Sequence, residues 1–179
     1  MSILFTCFME LTAMDENLQI SIVEATPADV DDIAKLIREL AAYEKAPDEA
    51  ILTASDLLRD GFGDHPAFHV LLAKANGETV GMAFWFFTYS TWKGKELYLE
   101  DLVVKEAWRR RGIGRLLFEE LLNLAYQYKV KRMRWQVLHW NEPAFHFYRK
   151  YRAATSDQWL NCMLTSHDIS RLIENKSHE

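Results

Sequence analysis

Apolar and polar positions change period several times along the chain, and each change marks an element. Residues 19–24, QISIVE, alternate and predict a strand. The next stretch, TPADVDDIAKLIRELAAYE, repeats at helical spacing, with Val30, Ile33, Ile37, Leu40 and Ala41 on one face. Thr26 suits the N-cap, Pro27 the first helical position, and Asp29 and Asp31 the positive end of the helix dipole. TASDLLRDGFG predicts a second, short helix capped by Thr53 and stopped by Gly61. AFHVLLAKA and TVGMAFWFFTYS read as strands, and Asn76-Gly77 between them signals a hairpin. KELYLEDLVVK is a third strand in that series. Residues 112–129 predict a helix whose Leu116, Leu117, Leu121 and Leu124 line one face. RMRWQVL then predicts a strand parallel to its predecessor, NEPAFHFYRKY a helix capped by Asn141, and TSDQWLNCMLT a closing strand. SHDISRLIE reads as a short terminal helix or a frayed tail.

This order, with no linker, repeat or low-complexity segment, predicts one α/β domain with a mixed sheet. The strand–helix–strand unit over residues 97–138 implies a right-handed crossover. The domain is expected over residues 19–165, between a disordered N-terminal extension, 1–18, and a C-terminal tail, 166–179. Met14 opens the ordered pattern and is a candidate start, which leaves residues 1–13 without an assigned role. Those residues lack the basic start and small-residue cleavage site of a signal peptide. No stretch approaches the roughly 20 apolar residues that span a bilayer, so no membrane partner is expected.

Composition adds constraints. Hydrophobic residues at 49% and charged residues at 26% of 179 supply a core and an ordinary globular surface. A net charge of −5 argues against a general nucleic-acid binder. Two cysteines, Cys7 and Cys162, make no disulfide framework and fit a reducing cytoplasm. No His and Cys spacing predicts a metal site.

Against that acidic background, WRRRGIGRLLFEELL is locally basic. Arg109 to Gly114 spell Arg-x-x-Gly-x-Gly directly before a helix. Open N–H groups at a helix start favour anions, and Gly112 and Gly114 allow unusual backbone angles and close approach. Arginine adds planar donors matched to phosphate oxygens. The loop therefore reads as a phosphate cradle, without the glycine pattern of a dinucleotide fold or the Gly-Lys-Ser/Thr of a P-loop.

RRRGIGRLL after LYLEDLVV resembles the coenzyme A pyrophosphate loop of the GNAT superfamily of N-acetyltransferases. ELAAYE, ILTASDLLRDGFGDHPAFH, FTYSTWKGKELYLEDLVV and NEPAFHFYRKY are similar to its diamine branch, the spermidine/spermine acetyltransferases. The resemblance covers roughly residues 20–164. It implies a single GNAT-type α/β domain with a mixed, mostly antiparallel sheet flanked by helices, acetyl-CoA as co-substrate, no metal, and a homodimer.

Transfer of an acetyl group to an amine requires an acceptor for the ammonium proton, donors for a developing oxyanion, and a proton donor for the leaving thiolate. By alternation, Glu100 and Asp101 are expected on opposite faces of their strand, one toward the reaction and one structural. The resemblance assigns amine binding and base function to Glu100, leaving Asp101 structural. It gives the main chain of Leu102, Val103 and Val104 to the acetyl-pantetheine arm, where a bulge is expected to splay two strands. It gives Arg109, Arg110, Arg111, Gly112, Ile113, Gly114 and Arg115 to the diphosphate, Asn141 to the cofactor, and Tyr148 to both the cofactor and the general-acid role. It gives Tyr43, Glu44, Arg134, Trp135 and Gln136 to the amine. Independently, Glu44, Asp48, Glu49, Asp56, Asp60 and Asp64 against Lys45 and Arg59 make an acidic lip for a polycation.

Two departures bear on the substrate. Arg152 stands where the family has glycine, and the acidic segment beyond it is reduced to Asp157 before Trp159. The expected substrate is a small cationic amine, with diamines and polyamines first. Thialysine or another amino acid, a protein lysine, and a non-catalytic acyl-CoA-binding module on the same fold are the alternatives.

Overall fold

The computed structural model describes residues 7–8 and 18–176. They divide into two compact units, one ending at Gln136 and the other beginning at Val137.

The first unit is built on one six-stranded sheet. Its strands are β1 (Cys7–Phe8), β2 (Ile20–Glu24), β3 (His69–Ala75), β4 (Glu78–Ser90), β5 (Gly94–Val104) and β6 (Arg132–Arg134), paired in that order. All neighbours are antiparallel except β5 and β6, which are parallel as expected for a crossover. Within the N-terminal segment, Cys7 and Phe8 of β1 pair with Ile22 and Ser21. Residues 1–6 and 9–17 lie outside the described residues.

The helices of this unit are α1 (Val30–Tyr43), α2 (Ala54–Gly61) and α3 (Ile113–Gln127). α1 starts later than expected. Pro27–Asp29 form a 3-10 turn first, in which the Thr26 amide and hydroxyl both donate to Asp29 Oδ2 at 2.8 and 2.7 Å. At α2 the Asp56 amide donates to Thr53 Oγ1 at 3.2 Å, and the Thr53 amide donates back to Asp56 Oδ2 at 3.1 Å. Between β3 and β4, Asn76 and Gly77 both take positive φ, 48° and 88°, as a two-residue hairpin turn requires.

The period of two sorts the sheet into two faces. Val70, Leu72 and Met82 pack with Ile33, Leu36 and Leu57 of α1 and α2, and Val103 joins this core. Trp85 and Phe87 point the other way and meet Tyr128 at the end of α3. Leu117, Phe118 and Leu121 of α3 are buried on that side.

Gly61 does more than end α2. A Cβ there would overlap the ring of Phe68, a core residue stacked on Phe84 at 4.3 Å. Gly61→Ala should therefore destabilise the protein by about 1–3 kcal/mol, measured as a shift in urea midpoint with unchanged slope. An unchanged midpoint would show that Phe68 moves aside freely.

In the second unit, α4 (Glu142–Arg149) is capped by Asn141, whose Oδ1 accepts the Ala144 amide at 3.3 Å. α5 (Ser166–Lys176) is a helix rather than a frayed tail. The Asp168 amide donates to Thr165 Oγ1 and the Thr165 amide to Asp168 Oδ2, both at 3.1 Å. The expected closing strand TSDQWLNCMLT is not formed among the described residues. Its apolar residues Trp159, Leu160 and Met163 are exposed. A β-rich composition makes a strand only where a neighbouring edge takes its N–H and C=O groups, and no described strand pairs with this segment. Arg152, in place of the family's glycine, has φ +56°, the left-handed conformation that costs a side-chain-bearing residue about 1–2 kcal/mol.

Candidate active site

The basic loop runs from Val104, the end of β5, to Ile113, the start of α3. Arg110 and Gly112 both turn into the left-handed region, with φ of 63° and 80°. This reverses the chain so that α3 starts with no side-chain cap. Its first backbone bond runs from the Leu116 amide to Gly112 O, at 3.1 Å. The amides of Ile113, Gly114 and Arg115 thus lie at the open helix start without an intrahelical acceptor. Arg110, Arg111 and Arg115 are exposed around them. Arg109 is held by the fold itself: its Nε donates to Val104 O at 3.0 Å, and its guanidinium lies 4.8 Å from the centre of the Tyr43 ring. Open amides, a helix dipole and several guanidinium groups fit a diphosphate.

β5 carries the acidic chemistry. Its ladder with β4 pairs Trp85 with Leu99 and Phe84 with Asp101, so Glu100 is the extra residue of a β-bulge. Cross-strand partners share a face, so Asp101 lies on the α1 side with Phe84, and Tyr98 lies there with its partner Phe86. Counting two from Tyr98 puts Glu100 on the same side. The expectation of opposite faces for Glu100 and Asp101 is therefore corrected, because the bulge absorbs the step that would have separated them. The expected bulge at Leu102, Val103 and Val104 is also corrected. These residues pair regularly with Ala83, Met82 and Gly81. The strand opens there for another reason: β6 pairs with β5 only over Glu96–Tyr98. Beyond that point the outer edge of β5 has no ladder partner among the described residues.

Burial raises the pKa of both Glu100 and Glu44, the residue that caps α1. Asp101 is pushed up to about 7, first by burial and then by the charges of Glu100 and Glu44. Tyr98 is raised by burial and by Glu100, with Arg134 opposing. Glu100 and Glu44, from two elements, thus both act on Asp101 at the α1 side of the sheet.

Arg134 and Trp135 have partners within the fold. Arg134 Nε donates to Glu96 Oε2 at 2.8 Å, and Arg132 Nε donates to Glu96 Oε1 at 2.8 Å. Glu96 is fully buried, so these two arginines neutralise a carboxylate that fixes β6 on β5. Trp135 packs edge-on against Phe118 of α3 at 5.5 Å. Gln136 is exposed at the end of the unit. Arg134→Met should cost about 1–3 kcal/mol by stripping one partner from the buried carboxylate, read in urea unfolding. A loss of amine affinity at unchanged stability would instead assign Arg134 to substrate. The acidic lip is thinner than the sequence count implies, because Arg59 bridges Asp56 at 2.9 Å and Asp60 at 2.7 Å.

Tyr148 and Asn141 belong to the second unit. Tyr148 is on α4, next to Phe147, whose ring lies 5.1 Å away. Burial pushes its phenol well above the usual tyrosine value, so it stays a neutral donor across the physiological range.

The profile of the acetyltransferase (GNAT) family matches residues 31–153. The chain belongs to that family. The match crosses from one compact unit into the other, so the carboxylate face, the loop and α4 all fall inside one GNAT domain. The chain is 42% identical over 147 residues to spermidine/spermine N(1)-acetyltransferase-like protein 1 of Homo sapiens, a match over 78% of this chain and 21% of that protein. It thus spans about a fifth of that relative's length. With thialysine N-epsilon-acetyltransferase of Bos taurus it shares 39% identity over 138 residues, 73% of this chain and 81% of that one. An integron cassette protein from the mobile metagenome of V. cholerae has the same fold, with a TM-score of 0.71 at 22% identity over 87% of this chain and 98% of that chain.

Among the described residues of this GNAT chain, no group of three or more His, Cys, Asp and Glu is placed to hold a metal ion. No helix among them is long and apolar enough to cross a membrane. Asp101 and Tyr98 are the residues that sequence reasoning left out of the site. The signal for Asp101 was present in LYLEDLVV, but reading it required the bulge.

Proposed function

We propose that this enzyme transfers the acetyl group of acetyl-CoA to a primary amine of a small cationic substrate, a diamine or polyamine first. The observation that carries this reading is the bulge at Glu100, which gathers Glu100 and Asp101 on the side of Glu44 while the same strand leads into the anion cradle. Acetyl-CoA, when bound, supplies the acetyl group as a thioester. Gly112, Ile113, Gly114 and Arg115 hold its diphosphate through main-chain amides, and Arg109, Arg110 and Arg111 add guanidinium donors. The open edge of Leu102, Val103 and Val104 offers N–H and C=O groups to an extended arm. Glu100 attracts the ammonium and accepts its proton. Glu44 and Tyr43 bind the far end of the substrate, and Asp101, close to half-ionised at neutral pH, sets the charge of that face. Tyr148 donates to the leaving sulfur, and Asn141 holds the start of its helix and contacts the cofactor. Trp135 and Gln136 border the amine from just beyond β6, and Arg134 reaches it through Tyr98, whose ring centre lies 5.7 Å from its guanidinium. A cytoplasmic homodimer that binds neither nucleic acid nor membrane completes the proposal.

Thialysine is the second reading. It is favoured by the bovine relative, of which the chain covers 81%, and by the thinned acidic lip. An amine panel tests both readings. Free thiol should appear from acetyl-CoA only when amine is added, with kcat/KM highest for a diamine or polyamine, then thialysine, then a lysine peptide. A highest value for thialysine would move the substrate to the second reading. Acetyl-CoA binding with no thiol release across the panel would leave a non-catalytic module.

A further inference from the structure

The loop proposed for the diphosphate and the end of α1 proposed for the amine meet at one contact. Arg109 Nε is fixed on Val104 O, and the guanidinium lies over the Tyr43 ring. Tyr43 is the last residue of α1. Glu44 follows as its cap, its amide donating to Leu40 O at 2.8 Å, and Lys45 then turns the chain with φ +64°. The ring of Tyr43 and the carboxylate of Glu44 therefore stand on one short, defined piece of backbone.

We propose that Arg109 and Tyr43 form a coupling element, through which an occupied anion cradle tightens amine binding. The proposal rests on the reading of the two sites given above. Guanidinium carries five N–H donors in one plane. With Nε held by Val104 O and one face on Tyr43, the Nη donors remain for an oxyanion without breaking either contact. An anion on those donors restricts the plane of Arg109, the plane restricts the Tyr43 ring, and the end of α1 loses freedom that an amine would otherwise have to remove. Linkage makes the effect reciprocal, so amine must tighten coenzyme binding by the same factor. Arg109 and Tyr43 are positioning residues in this role. The strength of an exposed cation–π contact sets the expected factor at roughly two- to fivefold.

Calorimetry on the full chain provides the test. Spermidine and thialysine are titrated into the ligand-free protein and into protein saturated with CoA, which binds without reacting. Wild type should bind amine roughly two- to fivefold more tightly with CoA present. Tyr43→Phe, which keeps the ring face, should keep that ratio. Tyr43→Leu should bring it to one, whatever it does to amine affinity itself. A ratio unchanged in Tyr43→Leu, or a wild-type ratio of one, would overturn the coupling while leaving both sites in place. Wild-type protein that binds no CoA, or neither amine, would overturn the site assignments and the coupling with them. Arg109→Lys keeps the charge but lacks the plane and Nε, and it should match Tyr43→Leu. Retention of the ratio there would show that charge alone carries the effect and would contradict the proposed stack.

Discussion

Replacement of Tyr148 by phenylalanine is expected to lower turnover by roughly a hundred- to ten-thousandfold, with CoA affinity near that of wild type. The magnitude follows from the loss of one positioned proton donor, because the ring and its packing on α4 stay in place. Burial holds the Tyr148 proton tightly, which makes the phenol a weak acid in isolation. The same desolvation disfavours a thiolate beside it, so the proton affinities of donor and acceptor rise together. The decisive readout is the split between parameters. A fall in kcat with little change in CoA dissociation constant places the hydroxyl in the chemical step. Turnover within a factor of two of wild type would remove Tyr148 from the mechanism. A matching loss of CoA affinity would make it a binding residue only.

The second large effect concerns stability. Asp101 has an ordinary carboxyl in the unfolded chain, near 3.8, and in the folded protein it holds its proton up to about 7. Well below pH 3.8 both states are protonated, and the buried carboxyl costs little. As pH rises through this window, the unfolded chain releases the proton first, so stability falls until the folded group also ionises near 7. The difference between those two values corresponds to at most about 4 kcal/mol. Glu100 and Glu44 titrate with Asp101, which spreads the change over a wider pH range. Urea unfolding between pH 4 and 8 should show this decline in wild type and a much flatter profile in Asp101→Asn. Parallel profiles would mean that the Asp101 carboxyl is hydrated in the folded protein and that the bulge does not bury it.

Both predictions depend on features of differing legibility in the sequence. The anion cradle was readable because its physics is local: a strand end, two glycines, arginines and a helix start suffice. The capping residues Thr53 and Asn141 were readable for the same reason, since each bond closes within three residues. The hairpin at Asn76-Gly77 was fixed by its need for two positive φ angles. The carboxylate face was misread because alternation counts residues along one strand, whereas a bulge is set by register against the neighbouring strand. The closing strand was overread because pairing depends on an edge elsewhere in the chain. The partners of Arg134 were hidden because Glu96 lies 38 residues earlier, and only the parallel register brings the two together. Arg152 shows a conflict that was legible: the position demands a left-handed backbone and the chain supplies arginine there.

The central claim is that main-chain amides at the start of α3 hold the coenzyme's diphosphate. A crystal structure of the protein soaked with CoA measures this directly. The account predicts diphosphate oxygens within about 2.7–3.2 Å of the amide nitrogens of Ile113, Gly114 and Arg115. CoA bound elsewhere, with those amides facing only solvent, would contradict it.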